Sequence, residues 1–424
     1  MNTASFVLHG DLCDSRDPQH LRGIPGGFLV CVDGRCAGAF PVLPDRYAGL
    51  PLIDCAGKLV IPGLTDLHVH APQYAFRGLG MDLELLDWLN VRTFPEESRY
   101  ADLTYARQTY QSFADDLRRS ATTRCCVFAT VHREAAELLM DLLEDTGLVA
   151  LVGKVNMDRD CPDALREDTG ASLAETRRWL ADVSGRYERI SPILTPRFVP
   201  SCTDALLDGL GELAAETGLP VQSHLSENRG EVELVAGLCP QARFYGDVYD
   251  RYGLFGSNGR AVMAHCVLSS EEETALMKER GTFVAHCPQS NANLSSGIAP
   301  VRRYLDEGLN VGLGSDIAGG SSLSILRAMA DAVQVSKLRW RLQDQSLKPL
   351  TAAEAFYLGT AGGGAFFGPV GRFEPGYEMD AVVLDDARLS APFPLTVEER
   401  VERAIYLSDD RDIVKKFVRG RCVL

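Results

Sequence analysis

The chain has 424 residues, enough for two or three domains of ~150 residues or for one large barrel. Apolar residues make up 46% and charged residues 24%, ordinary globular usage that excludes disorder, collagen-like repeats and coiled coil. With 43 basic against 58 acidic residues the formal charge is −15, which repels a phosphate backbone or an anionic membrane surface. Neither nucleic acid nor a membrane is an expected partner.

The opening residues, MNTASFVLHGDLCD, hold no basic residue before Arg16, and their apolar stretch is too short for a signal-peptide core. No run of ~18 apolar residues occurs, so the expectation is a soluble, cytoplasmic protein. The 12 cysteines are scattered without a C-x-x-C pair and read as small buried apolar residues, with the neighbours Cys125 and Cys126 packing rather than bonding.

Along the first sixty residues SFVLHGDL, GGFLVCVDGRCAGAF and PLIDCAGKLVIPG read as short strands between turns. The last fifty or so have the same texture, and two β-rich ends of one chain can pair with each other. Between them strand and helix alternate. SPILTPRF precedes the helix-like TDALLDGLGELAAETG, and LPVQSH begins another strand. AVMAHC leads into SSEEETALMKERG, where Ser270 and Glu273 are placed for a capping box and Gly281 for the helix end. TFVAHC, VRRYLDEG and LNVGLGSD repeat the pattern. The alternation predicts an α/β fold with a parallel sheet, either doubly wound or closed into a (β/α)₈ barrel, and a closed barrel lets polar residues at many strand ends converge. There is no Gly-x-Gly-x-x-Gly or Gly-Lys-Ser/Thr phosphate loop. Gly362, Gly363 and Gly364 read as packing or loop glycines.

The eight histidines carry most of the chemical signal. His68 and His70 end the run KLVIPGLTDLHVH two positions apart, which on a strand puts both imidazoles on one face as a metal chelate needs. A surface pair has the same spacing. His224 ends LPVQSH, with Glu227 three residues on, a workable partnership of ligand and proton carrier. His265 ends AVMAH. Asp316 ends VGLGSD, where a carboxylate is costly unless it is paired, metal-bound or a helix cap. Taken together, strand ends offering H-x-H, H, H and D form a set suited to zinc or iron with room for water. His132 and Glu134 are half of another zinc-deaminase signature whose cysteine half is absent, so His132 is expected at the barrel mouth or packed behind it. His286 is expected as a hydrogen-bonded neighbour of the site, and His9 and His20 at the surface. In MDLELLDWLN, Trp88 reads as core on an amphipathic helix. Tyr74, Phe76 and Phe94 read as candidates for stacking on a flat base, or for closing the loop against the barrel.

The phrases PGLTDLHVHAPQYAF, GKVNMD, TPRF, QSHLSEN, VMAH, AHCPQSN, GLGSD and YLSDDRDIVKKFVRG resemble the amidohydrolase superfamily over nearly the whole chain. H-x-H is shared across that superfamily, whereas HAPQYAF with TPRF resembles the branch that removes the amino group of guanine. Gln289 departs from the smaller polar residue usual in that motif. The resemblance implies a (β/α)₈ barrel over residues 61–366, with a composite β domain from residues 1–60 and 367–424. It implies one zinc, or iron, per chain on His68, His70, His224 and Asp316, with Glu227, His265 and Asp316 catalytic. Gln73, Arg197 and Phe198 would hold the purine, with His70 and Glu227 also at the substrate, and the product would be xanthine. A homodimer is implied as well. Binuclear relatives bridge their metals with a lysine late in the fourth strand, which TPRFVPSC lacks. Lys154 is the only lysine placed to supply one. Another aminated heterocycle, such as an oxidised purine, pterin or triazine, is the alternative substrate. A non-catalytic scaffold is the alternative role.

Overall fold

Turn residues cut the two chain ends into strands, and the computed structural model, which describes residues 5–424, pairs those ends in one sheet. The first strands are β1 (Phe6–Asp17), β2 (His20–Val32), β3 (Arg35–Phe40) and β4 (Leu52–Pro62). The middle supplies β5 (Leu64–His70), β6 (Thr122–Phe128), β7 (Val149–Gly153), β8 (Val155–Asn156), β9 (Ile190–Pro192) and β10 (Thr195–Pro196). Then come β11 (Val221–Leu225), β12 (Ala261–His265), β13 (Phe283–His286) and β14 (Asn310–Leu313), and finally β15 (Ala381–Leu384), β16 (Ile413–Val418) and β17 (Arg421–Cys422).

A seven-stranded mixed sheet runs β17-β16-β15-β4-β1-β2-β3. Its seam is the antiparallel pair of β4 with β15, Pro62 opposite Ala381 and Leu59 opposite Leu384. Alternate residues of these strands, including Phe6, Leu8, Leu29, Val60, Val383 and Phe417, bury one apolar cluster, as the two-residue period of a strand requires.

The middle strands form two four-stranded parallel sheets, β5-β6-β7-β9 and β11-β12-β13-β14, with β8 and β10 paired separately. All seven residues of β5 are buried, which is the pattern of parallel strands covered on both faces. A parallel bridge between Leu194 and Val221 joins one sheet to the other. Across the opposite edge Asp316 donates its N–H to the His68 carbonyl at 2.8 Å, and His70 donates to Ile317 at 3.2 Å. Helices fill the intervals as expected, including Asp204–Thr217, Glu271–Arg280 and Val301–Asp306.

The cap at Ser270 forms by half. Its hydroxyl accepts the Glu273 N–H at 3.2 Å, and Gly281 closes the helix at φ +69°. The Glu273 carboxylate does not return to the cap. It turns inward to accept Ser226 Oγ at 2.8 Å and the Gly246 N–H at 2.7 Å, because a buried carboxylate gains more from partners that replace its lost water. Gly363 lies so close to Gly312 of β14 that a Cβ on Gly312 would meet its Cα at 2.7 Å, which gives the glycine run its packing role.

Two buried basic side chains tie the end sheet to the middle. Arg124 on β6 donates to Asp380 at 2.7 Å and Glu378 at 2.6 Å. Lys416 on β16 donates to the carbonyls of Leu117, Ser120 and Thr122 at 2.9 to 3.2 Å, at the end of helix Leu103–Arg119. Among the described residues no disulfide joins any cysteines, and Cys125 and Cys126 are fully buried. Among the described residues no helix is long and apolar enough to cross a membrane.

Candidate active site

The C-terminal ends of β5, β11 and β12 and the turn after β14 converge, and with them the residues that the sequence singles out. His70 Nε2 lies 3.2 Å from both His68 Nε2 and His224 Nε2. Asp316 Oδ1 is 3.2 Å from His68 Nε2 and 3.6 Å from His70 Nε2. Donor atoms of His68, His224 and His265 fall within 4.8 Å of one another, as do those of His68, His70 and Asp316. All are buried or nearly so. The bends that aim them are unusual, since His265 has φ +75° and Asp316 φ +47°. Left-handed backbone at a residue with a side chain costs ~1–3 kcal/mol and persists where the surroundings over-determine it.

The donor set fits a cation. His224 Nδ1–H donates to the Arg197 carbonyl at 2.6 Å, which leaves Nε2 as a lone pair facing His70. His70 Nδ1 is buried and finds no hydrogen-bond partner among the described residues. Burial first, and the His68 charge next, hold His70 and His224 well below the usual imidazole range. Neutral imidazole is the metal-binding form. Burial opposes ionisation of Asp316, yet His68, His265 and His70 together keep its carboxyl well below the usual range. Cys287 Sγ also lies within 4.8 Å of His265 and Asp316 donor atoms. Burial keeps it a thiol, directed at the Ala285 carbonyl at 3.4 Å.

A network holds these groups. Asp66 Oδ1 accepts the N–H of His68 at 3.1 Å and of Ser315 at 3.0 Å, and its other oxygen accepts the Ser315 hydroxyl. His265 Nδ1 pairs with Asn291 Oδ1 at 2.9 Å, so Nε2 faces Glu227 Oε2 at 3.4 Å and Asp316 Oδ2 at 3.7 Å. Glu227 Oε1 accepts Ser296 Oγ at 2.9 Å, and its backbone N–H is held by Glu231 at 2.9 Å. Burial pushes the Glu227 carboxyl up to about 7, where it can take and return a proton near neutrality.

One cleft collects His70, His224, His265, Glu227 and Asp316 together with Gln73, Arg197 and Phe198. Its apolar wall is Leu85, Trp88, Leu89 and Leu294. Trp88 is buried in the apolar core, as its helical spacing predicts, and also walls the cleft. The expected helix stops after Leu85–Trp88, widens into a π-type turn over Leu89–Thr93 and resumes at Phe94–Glu97, which turns the 85, 88, 89 face toward the cleft. The aromatics proposed for base stacking lie behind it. Tyr74 packs on Phe113 and donates to Asp116, Phe76 packs on Trp88, and Phe94 lies under the Arg197 guanidinium at 5.2 Å.

Glu97, buried at the end of that segment, has no local sequence signal. It accepts Gln73 Nε2 at 3.0 Å and both amino nitrogens of Arg197. Asp66 did have one, because 66, 68 and 70 share a strand face. His286 does not line the cleft, and its buried Nδ1 has no hydrogen-bond partner among the described residues. His132 precedes helix Arg133–Thr146, its Nε2 likewise buried without a partner. Lys154 is committed to Glu167 at 2.7 Å and the Val155 carbonyl, outside the donor clusters. His9 and His20 pair with Asp54 and Asp17 at the periphery. Gln289 accepts the Ser321 N–H at 2.7 Å and does not line the cleft.

The sequence pattern of the Amidohydrolase family matches residues 59–423. The guanine deaminase of Dictyostelium discoideum is 41% identical over 377 residues, covering 87% of this chain and 83% of that protein. The Escherichia coli guanine deaminase is 36% identical over 381 residues, covering 87% and 84%. The crystal structure of a guanine deaminase from C. acetobutylicum, with guanine bound in its active site, superposes with a TM-score of 0.96 at 45% identity, over 99% of this chain and 100% of that one.

Proposed function

The chain belongs to the amidohydrolase family, and from that membership we propose how it works: it deaminates guanine hydrolytically, giving xanthine and ammonia. The observation that carries this reading is that the histidine and carboxylate cluster shares one cleft with Gln73 and Arg197.

His68, His70, His224 and Asp316 are the ligands of one metal ion in this reading. Zinc, or iron in its place, supplies Lewis acidity that makes water ionise near neutral pH. Gln73 and Arg197 hold the polar edge of the purine, while Phe198, Trp88, Leu85 and Leu89 cover its faces and keep bulk water out. Glu227 carries a proton to the ring nitrogen beside C2, and then to the departing amine, a role typically worth ~10²- to 10⁴-fold in rate. Asp316 accepts a proton from the attacking water. His265, anchored through Nδ1 to Asn291, orients that water with Nε2. Water adds at C2, the C2–N bond breaks, and ammonia leaves.

The two parallel sheets, cross-linked at Leu194–Val221 and at His68–Asp316, support a (β/α)₈ barrel over residues 61–366. The β4–β15 seam supports a composite β domain of residues 1–60 and 367–424. A cytoplasmic setting is part of this reading. The homodimer and a place in purine breakdown belong to the same reading.

The test is ammonia release by zinc-loaded protein from guanine, adenine, cytosine and 8-oxoguanine, followed by ultraviolet absorbance. Guanine is expected to be consumed rapidly and the others slowly. Inert guanine with turnover of another heterocycle would replace the substrate, and a metal-free protein that zinc or iron cannot activate would replace the enzyme with a scaffold.

A further inference from the structure

We propose that Glu97 is a positioning residue that sets purine specificity by fixing which way Gln73 and Arg197 present their polar atoms; this rests on the reading that those two residues hold the substrate. Glu97 is buried, its side chain 1% exposed against 3% for Arg197. One carboxylate serves both partners: Oε1 accepts Gln73 Nε2 at 3.0 Å and Arg197 at 3.2 Å, and Oε2 accepts the other Arg197 nitrogen.

The consequence lies in what remains free. A glutamine amide can turn over and exchange its donor and acceptor ends at little intrinsic cost. An ionised carboxylate only accepts, so it draws Nε2 toward itself, and Oε1 is left to accept the Ala318 N–H at 2.9 Å. The amide is thereby locked at both ends. Arg197, which can only donate, is clamped by the same carboxylate and rests over Phe94 at 5.2 Å. A pair locked in this way suits a purine edge with a carbonyl oxygen beside an N–H. The edge with an amino group beside a bare ring nitrogen needs the opposite order of donor and acceptor. A site built on fixed hydrogen bonds discriminates between such edges far better than one built on shape.

Removing the charge undoes the lock. In Glu97→Gln the new amide brings two donors of its own, cannot serve both partners, and leaves the Arg197 cation buried without a counter-charge. The probe is 2,6-diaminopurine, which keeps the reacting C2 amino group but carries an amino group at C6 and no hydrogen on N1. The zinc-loaded wild type and Glu97→Gln are compared for kcat and KM on guanine and on 2,6-diaminopurine, with metal content and melting temperature recorded. The expected result is a KM for guanine raised tenfold or more, kcat within about threefold, one metal per chain retained, and a guanine preference over 2,6-diaminopurine reduced by roughly tenfold or more.

A merely structural role would lower both substrates together. An unchanged preference therefore overturns the proposal, as does an unchanged KM. A wild type that does not turn over guanine would instead overturn the functional reading beneath it. Should Glu97→Gln not fold, Glu97→Asp carries the same readout, since it keeps the charge but is one methylene too short to reach both partners. A wild-type preference in that variant refutes the lock.

Discussion

Asp66 makes no contact with the proposed substrate and yet ties together the strand ends that carry His68 and Asp316. Replacing it with alanine removes the acceptor for two backbone N–H groups, those of His68 and Ser315, and for the Ser315 hydroxyl. Both N–H groups belong to fully or largely buried residues. Each orphaned donor costs ~1–3 kcal/mol, so the two together come to about 2–6 kcal/mol. With ~2.1 cal/mol/K of unfolding entropy per residue, a chain of 424 residues loses roughly 2–7 °C of melting temperature. Loosened ligand backbones should also weaken metal binding by ~10- to 100-fold. The assay is calorimetry of metal-free Asp66→Ala, with zinc affinity measured against a competing chromophoric chelator. Asp66→Asn keeps an acceptor oxygen for both N–H groups and should lose less than half as much. An alanine variant that melts within about 1 °C of wild type and binds zinc normally would refute the reasoning, because the two buried donors would then have found other partners at no cost.

Three further results are expected. Glu227 has its carboxyl raised from 4.5 to about 7, chiefly by burial, so in the metal-free protein its contribution is complete below pH 4.5 and is lost as pH rises through 7, about 3 kcal/mol in all. Urea unfolding at pH 5 and pH 7 should show a smaller fall in stability for Glu227→Gln than for wild type, and equal falls would show that Glu227 does not titrate there. The same variant should bind zinc at wild-type stoichiometry while guanine turnover falls ~10²- to 10⁴-fold, and near-normal turnover would remove Glu227 from proton transfer. Trp88→Ala opens the apolar wall of the cleft, so KM for guanine should rise about tenfold while kcat changes less, and equal losses in both would place Trp88 in the chemical step instead.

What could be read beforehand follows from the range over which each signal acts. The two-residue period of a strand puts His68 and His70 side by side, and the alternation of strand and helix places His224, His265 and Asp316 at element ends without any knowledge of the tertiary structure. Asp66 belongs to the same register and could have been read with them. The helical spacing of MDLELLDWLN places Trp88 in the core, where it is buried, but nothing in that segment announces the π-type turn that follows or that the same face also walls the cleft. Glu97 was beyond reach, since its partners are 24 and 100 positions away. The left-handed bends at His265 and Asp316 are equally invisible, because neither residue type demands positive φ. The half-formed cap at Ser270 fails for a related reason: Glu273 finds its partners in Ser226 and Gly246, one strand and one helix away.

The seam between β4 and β15 also has a meaning for synthesis. β4 leaves the ribosome early, but the strand that covers its edge from Leu59 to Pro62 follows roughly 300 residues later, a wait of ~15–60 s at ordinary elongation rates. Throughout that interval the nascent chain presents an unpaired, apolar edge of the kind that recruits other chains. Messages truncated after Asp316 but before β15 should therefore yield aggregates even though every residue proposed for catalysis has already been made.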